Sequence, residues 1–310
     1  MASHLNQPHF QDETKARKYL ETQRWPNGPI CPHCGSISKD HYAIESHSKK
    51  GARPGLYKCK DCREQFTATV GTIFERSKIK LNVWLQAVFL LCSSKKGMSS
   101  HQMHRMLGVT YKTAWFITHR IREAMRSDGG LLGSGGGIVE ADETFIGRRP
   151  DKTKRRGAGH KNAVFSLVQR DGKVRSFHVA RVNSKNLKPI LLAQVAKDAH
   201  VFTDAAGYHK KSKLGNEFAS HETVNHLLGE YARGHVHTNT VEGYFSILKR
   251  GLIGTYHHVG SQHLQRYVTE FDFRASNREV TDKERTDNAL KSVGGKRLTY
   301  RRTAGQQTAG

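Results

Sequence analysis

Apolar positions along this chain change period several times, and each change marks an element. Between residues 81 and 126 they recur at helical spacing in three runs. Ser99 or Ser100 precedes the second run and Thr110 the third, as N-caps do. Met106-Leu-Gly-Val109 supplies a glycine-containing turn between them. Ala114, Ile117, Ile121 and Met125 form the stripe that the third helix buries. After residue 137 the pattern predicts strand 138–146, a basic loop, strand 162–170, an Asp171-Gly172 turn and strand 173–182. Helix 186–197, strand 199–204, a strand near 223–228 and a long helix from about residue 240 follow.

Three strands in a meander and then alternating helix and strand is the element order of an RNase H-like α/β domain, a mixed sheet with flanking helices. In that order the first strand lies beside the fourth. Domain limits follow from composition. Six of the nine residues in 129–137 are glycine, which reads as a flexible linker unable to form a core. Past residue 281 the chain turns polar, basic and weakly patterned, and 297–310 reads as a mobile basic tail. The expected organisation is an N-terminal helix and ribbon (1–75), a helix-turn-helix-like helical module (76–128), the linker (129–137), the α/β domain (138–280) and the tail (281–310).

The ribbon rests on cysteines. Cys31-Pro-His-Cys34 and Cys59-Lys-Asp-Cys62 are two C-x-x-C knuckles separated by 24 residues. Four thiolates match one tetrahedral zinc ion, and the two-residue gap lets both sulfurs of a knuckle face it. His33 reads as a turn residue, and Cys92 as part of an apolar helix core.

Three acids carry the other candidate chemistry. Asp142 lies in the apolar run Ile138-Val-Glu-Ala-Asp-Glu-Thr-Phe-Ile146, and Asp204 ends the run Ala199-His-Val-Phe-Thr-Asp204. Glu242 opens an amphipathic helix in which, at about 100° per residue, Val241, Phe245, Leu248 and Leu252 form one apolar stripe. Lys249 falls almost directly above Glu242, Asn239 about one turn before it, and the small Ser246 between them. Two strands and a helix suit two magnesium or manganese ions, which need several carboxylate oxygens from rigid elements. Glu140 shares the face of Asp142 by period-two alternation and is the reserve ligand, whereas Glu143 points to the other face.

The stretch His237-Thr-Asn-Thr-Val-Glu-Gly-Tyr-Phe-Ser-Ile-Leu-Lys-Arg-Gly-Leu-Ile-Gly-Thr-Tyr-His257 resembles the third catalytic block of bacterial insertion-sequence DDE transposases. Val139-Glu-Ala-Asp-Glu-Thr-Phe-Ile-Gly147 resembles the first block and Phe202-Thr-Asp-Ala205 the second. The branch it resembles carries an N-terminal zinc ribbon ahead of an RNase H-like catalytic domain. The resemblance spans roughly residues 25–278. It implies that Asp142, Asp204 and Glu242 are the metal-binding triad, with Lys249 the basic residue after the glutamate. It further implies cleavage at transposon ends and strand transfer into target DNA.

Charge agrees with that expectation. Lys+Arg number 51 against 27 Asp+Glu, a formal net charge of +24 and a pI near 10.0, which implies a polyanionic partner. Charge alone fits double-stranded DNA and RNA equally. Tyr111, Lys112, Arg120 and Arg122 on the third helix of the helical module are left for solvent or DNA. That module reads either as a reader of terminal inverted repeats through the major groove or as a plain trihelical link. Asn239, Lys249 and Arg250 are candidate DNA contacts on the long helix. The loop 148–156 fits a DNA-backbone grip or a solvated hairpin, and His257 and His258 fit a scissile phosphate or a helix end. A homo-oligomer on DNA is expected. No apolar run reaches the roughly 18–20 residues of a membrane span, and residues 1–4 show no signal-peptide core. The expected location is therefore the cytoplasm, at the nucleoid of a bacterial cell. Two other functions remain open: a non-catalytic DNA-binding regulator derived from a transposase, and a nuclease of the same fold.

Overall fold

The computed structural model describes residues 4–44, 53–127, 129–149, 151–154, 156–204, 217–225, 228–230 and 232–299. The chain divides into two compact units, Met1–Met125 with Val280–Gly310, and Arg126–Glu279. Among the described residues no helix is long and apolar enough to cross a membrane.

The first unit opens with helices α1 (Pro8–Gln11) and α2 (Glu13–Arg24), followed by the small antiparallel sheet β1 (Tyr42–Ile44), β2 (Leu56–Lys58) and β3 (Gln65–Phe66). Helices α3 (Leu81–Ser93), α4 (Ser100–Leu107) and α5 (Tyr111–Ala124) come next. Ser99 and Thr110 cap α4 and α5, each accepting a backbone N–H. Gly108 at φ 64° makes the left-handed turn between them, a conformation that glycine adopts without a Cβ clash. Leu85, Leu91, Met103, Ile117 and Ile121 are fully buried and build the core.

The segment after Val280 departs from the expected tail. Residues Asp282–Lys291 form helix α9, opened by a capping box in which Thr281 and Glu284 satisfy each other's backbone. This helix packs on α3 and α2, buries Ala289 and Leu290, and lets Gly295 N donate to Gly71 O at 2.8 Å. Few apolar residues mark it, because it only completes a core that α3 already begins. The rest of the expected tail, residues 300–310, lies outside the described residues.

The second unit is a five-stranded mixed sheet in the order β6-β5-β4-β7-β8. Its strands are β4 (Ile138–Ile146), β5 (Asn162–Gln169), β6 (Val174–Val179), β7 (His200–Asp204) and β8 (Ser220–Val224). The first three form the antiparallel meander, and β7 and β8 run parallel to β4. Asp171, at φ 53°, makes the predicted turn with Gly172. The expected strand at 223–228 is β8, which lies a few residues earlier, and positions 226 and 227 are outside the described residues.

Both faces of the sheet are covered. On one, helix α6 (Ser184–Gln194) sets Leu187 and Leu191 against Val139, Ala141, Phe165 and Leu167. On the other, α7 (Asn239–Gly254) and α8 (Ser261–Ser276) set Val241, Phe245, Leu248, Val268 and Phe271 against Val164, Val168 and Val174. Strand β5 is buried along almost its whole length because it has a helix on each side.

The glycine run is not a free linker. Leu132 is fully buried in the α6-side core, its N–H donates to Gln194 O, and its carbonyl accepts from Ala196 N. Gly135 and Gly136 donate to Asp198. Gly133 has φ 73°, and a Cβ there would lie 2.6 Å from that of Ala199. Glycine is required here for close approach to the sheet.

Candidate active site

Strand pairing brings the first two acids together. Ala141 pairs with Thr203 in the parallel β4–β7 ladder, so Asp142 and Asp204 follow as neighbours where that ladder ends, Asp142 in the middle of β4 and Asp204 at the end of β7. Helix α7 buries Val241, Tyr244, Phe245, Leu248 and Leu252, which turns Glu242, Ser246 and Lys249 outward along its other side. Asp142, Asp204, Glu242, Ser246 and Lys249 line one open cleft of about 500 Å³. Thr238 Oγ1 donates to Glu242 Oε1 at 3.2 Å.

The cleft holds more negative charge than it neutralises. Burial pushes the Asp142 carboxyl up to about 8. The carboxylates of Glu143, Asp204 and Glu242 add to the rise, and a 2.7 Å hydrogen bond from the Glu143 amide opposes it. A carboxyl shifted this way favours a bound cation, because opposite charge stabilises its ionised form. The donors are hard carboxylate oxygens, the type magnesium and manganese take. Glu143 also lines this cleft, so strict alternation misplaced it.

Glu140, the reserve ligand, is elsewhere. Its side chain is completely buried and both its oxygens are occupied. Oε1 accepts from Arg170 Nε at 2.7 Å and Thr240 Oγ1 at 2.8 Å. Oε2 accepts from the backbone N–H groups of Thr240 at 2.8 Å and Val241 at 3.0 Å. Period-two spacing put it on the correct face, but the start of α7 covers it there. A second buried carboxylate, Asp272 on α8, was not singled out in sequence. It accepts from Ser176 N, Ser176 Oγ and Tyr244 Oη at 2.8, 2.7 and 2.6 Å, tying α7 and α8 to β6.

The remaining α7 candidates, Asn239 and Arg250, are exposed, and Arg250 Nε donates to Ser246 O within the helix. His257, at φ 58°, and His258 are also exposed. In the loop 148–156, Arg149 pairs with Asp151 and donates to Ala180 O, while positions 150 and 155 lie outside the described residues.

The cysteines form a tighter cluster. The sulfurs of Cys31, Cys34, Cys59 and Cys62 all lie within 4.8 Å of one another. Two of the separations, Cys31–Cys62 and Cys34–Cys59, are 3.6 Å. Tetrahedral zinc with bonds of about 2.3 Å sets such edges near 3.8 Å, so the set fits one structural zinc ion. Each knuckle turns tightly: Gly35 at φ 76° donates to Cys31 O, and Arg63 has φ 64°. His33 is exposed and faces Gln65 O at 3.3 Å, outside the cluster. Cys92 is buried in α3.

The helical module corrects two of its four proposed DNA contacts. Tyr111, stacked on His101 at 4.3 Å, and Lys112 are exposed at the start of α5. Arg120 and Arg122 are buried, 4% and 1% exposed. Arg120 donates to Glu75 O at 2.7 Å and its guanidinium lies over Trp84 and Phe116. The second half of α5 is enclosed on all sides, which a one-stripe helical pattern does not anticipate.

A zinc ribbon followed by an RNase H-like mixed sheet, with one carboxylate in the middle of β4 beside another at the end of β7, defines a transposase-type architecture. The transposase zinc-ribbon domain matches residues 11–65, and the ISXO2-like transposase domain matches residues 134–276. An uncharacterized protein in transposable element ISH50 of Halobacterium salinarum is 31% identical over 301 residues, covering 92% of this chain and 96% of that protein. The chain belongs to the ISXO2-like transposase family. Among solved structures, a simian T-cell lymphotropic virus intasome in complex with a PP2A regulatory subunit aligns at 17% identity. It covers 66% of each chain with a TM-score of 0.28. A pre-cleavage Mos1 transpososome aligns at 14% identity over 67% of this chain and 77% of that one, with a TM-score of 0.23.

Proposed function

We propose that this protein cuts DNA at the ends of a mobile element and joins those ends to target DNA. The observation that supports this reading most is the shared cleft of Asp142, Asp204, Glu242 and Lys249. The three carboxylates would hold divalent ions, and magnesium or manganese bound there would supply Lewis acidity toward the attacking water and the leaving oxygen. Asp142 and Asp204, fixed by a parallel ladder, set the ligand spacing, and Glu242 closes the site from α7. Lys249 meets the phosphate beside the cut as a point charge.

Cleavage breaks one P–O bond and forms another to a water oxygen, leaving a free 3′-hydroxyl. Joining exchanges the target's P–O bond for one to that 3′-hydroxyl. No covalent link to the protein is needed. Tyr111 and Lys112 at the start of α5, with Asn239 and Arg250 on α7, are the proposed contacts to terminal repeats and backbone. Binding falls steeply as salt rises. A homo-oligomer holding two ends is the proposed working form.

A strand-transfer assay with pre-cut ends tests this reading. Joined product that requires Mg²⁺ or Mn²⁺ is expected. Cleavage with no joining at any metal concentration would reduce the protein to a nuclease.

A further inference from the structure

Helix α7 lacks a cap of its own. Thr238 holds the N-cap position, but its side chain accepts no hydrogen bond from the first turn. Unsatisfied N–H groups at a buried helix start are costly. The amides of Thr240 and Val241 are satisfied by Glu140, which reaches them from strand β4. Glu140 thus acts as a cap about a hundred residues away in sequence. Its charge also lies at the positive end of the helix dipole.

A second set of bonds holds that carboxylate. Arg170, just after β5, donates through Nε to Glu140, and its other nitrogens donate to the carbonyls of His235 and His237. Its guanidinium rests over Phe202 of β7, 5.1 Å from the ring centre. One ion pair therefore gathers β4, β7, the segment entering α7 and the first turn of α7. Glu140 and Asp142 share a strand and are separated by a single residue. Thr240 and Glu242 have the same spacing on α7.

We propose that Glu140 is a positioning residue: it sets the first turn of α7 on β4 and so fixes Glu242 relative to Asp142. This rests on the catalytic reading of the cleft, but its structural part can be tested without catalysis. Glu140 touches no reacting atom. Its effect passes through the Thr240 and Val241 amides to the helix turn carrying Glu242.

The test uses the full zinc-loaded chain and the variant Glu140→Met. Methionine keeps nearly the length and volume of the side chain but offers the two amides no strong acceptor, so the cap is lost. Hydrogen exchange at Thr240 and Val241 is expected to accelerate at least tenfold, with Leu248 and Leu252 unchanged. Mn²⁺ affinity of the cleft, titrated by electron paramagnetic resonance, is expected to fall about 10- to 100-fold, the usual cost of losing a group that orients a ligand. Glu140→Asp keeps the charge on a shorter stem and should recover part of both readouts. If Glu140→Met does not fold, Thr240→Val serves instead. It removes one donor and should weaken Mn²⁺ binding about 2- to 10-fold, as for one hydrogen bond. Wild-type protection at Thr240 and Val241 in Glu140→Met overturns the proposal. So does lost protection with unchanged Mn²⁺ affinity, which would make the contact merely structural. Cleavage that persists in Asp204→Asn overturns the catalytic reading instead, and leaves the exchange result to judge Glu140 alone.

Discussion

Cys31, Cys34, Cys59 and Cys62 reach one point from two tight turns, whereas Asp142, Asp204 and Glu242 reach one cleft from two strands and a helix. The cysteine site needs only two short loops brought together by a three-stranded sheet. The carboxylate cleft draws on a parallel ladder and a buried helix face, and the helix begins on a carboxylate from β4. The first is built by local geometry and the second by the packing of a whole domain. Their responses to damage should differ accordingly.

The largest effect is expected at the cleft. Asp142→Asn, Asp204→Asn and Glu242→Gln should each lower cleavage and joining at least about 1,000-fold, as loss of a preorganised electrostatic group does. Terminal-repeat binding should persist, since one charge hardly alters a chain with a formal net charge of +24. Gel-shift and single-turnover assays on the same preparations check this, and an Asp204→Asn protein with wild-type cleavage would break the assignment.

At the ribbon the effect should be on structure. Elemental analysis should find about one zinc per chain, and Cys31→Ser or Cys62→Ser should unfold the ribbon, because metal binding there is folding energy. Hydrogen exchange should rise around both knuckles. Removing Mg²⁺ with a chelator too weak for zinc should stop catalysis yet leave the ribbon's exchange pattern unchanged. Loss of ribbon protection on Mg²⁺ removal would erase the distinction between the two sites.

Lys249→Ala should slow cleavage about 100-fold, or about 2.7 kcal/mol of barrier, with Mn²⁺ affinity unchanged. Lys249→Arg should regain part of the rate, because a cation remains at the phosphate. A Lys249→Ala protein that cleaves at the wild-type rate would make this an ordinary surface lysine.

The smallest effect concerns the support of the cleft. Burial pushes the Asp272 carboxyl up to about 6. Below about pH 4, near the unfolded value for Asp, both states hold the proton. Between there and pH 6 the unfolded chain releases it while the fold retains it, so stability falls as pH rises. Above pH 6 the penalty is constant. Asp272→Asn should remove that slope from the dependence of Tm on pH between 4 and 7. An unchanged slope would assign it to other groups.

Much of this was legible in the chain itself. The C-x-x-C spacing identified the four sulfurs, and the period changes located β4 to β7, α3 to α5 and α7 within a few residues. Such signals work because they are local: a knuckle, a pleat or a helix face is set by residues within a few positions of one another. The three acids stand out because Asp142 lies within one apolar run, Asp204 ends another and Glu242 opens an amphipathic helix. Glu140 and Asp142 show the limit. They have the same charge, strand and face, and period alone cannot separate them. What separates them is that α7 begins over one and stops short of the other.

The same reason accounts for the other differences. A single apolar stripe leaves Arg120 and Arg122 exposed, but α3, α9 and the segment around Glu75 close over that half of α5. The glycine run has the patternless look of a linker, yet its lack of side chains lets it lie against Ala199 and Val139. Sequence by itself determined the ligand types, the element order and the family. Tertiary structure alone decided which polar groups meet solvent and which are buried as struts. Burial depends on what arrives from elsewhere in the chain, and no local pattern encodes that arrival.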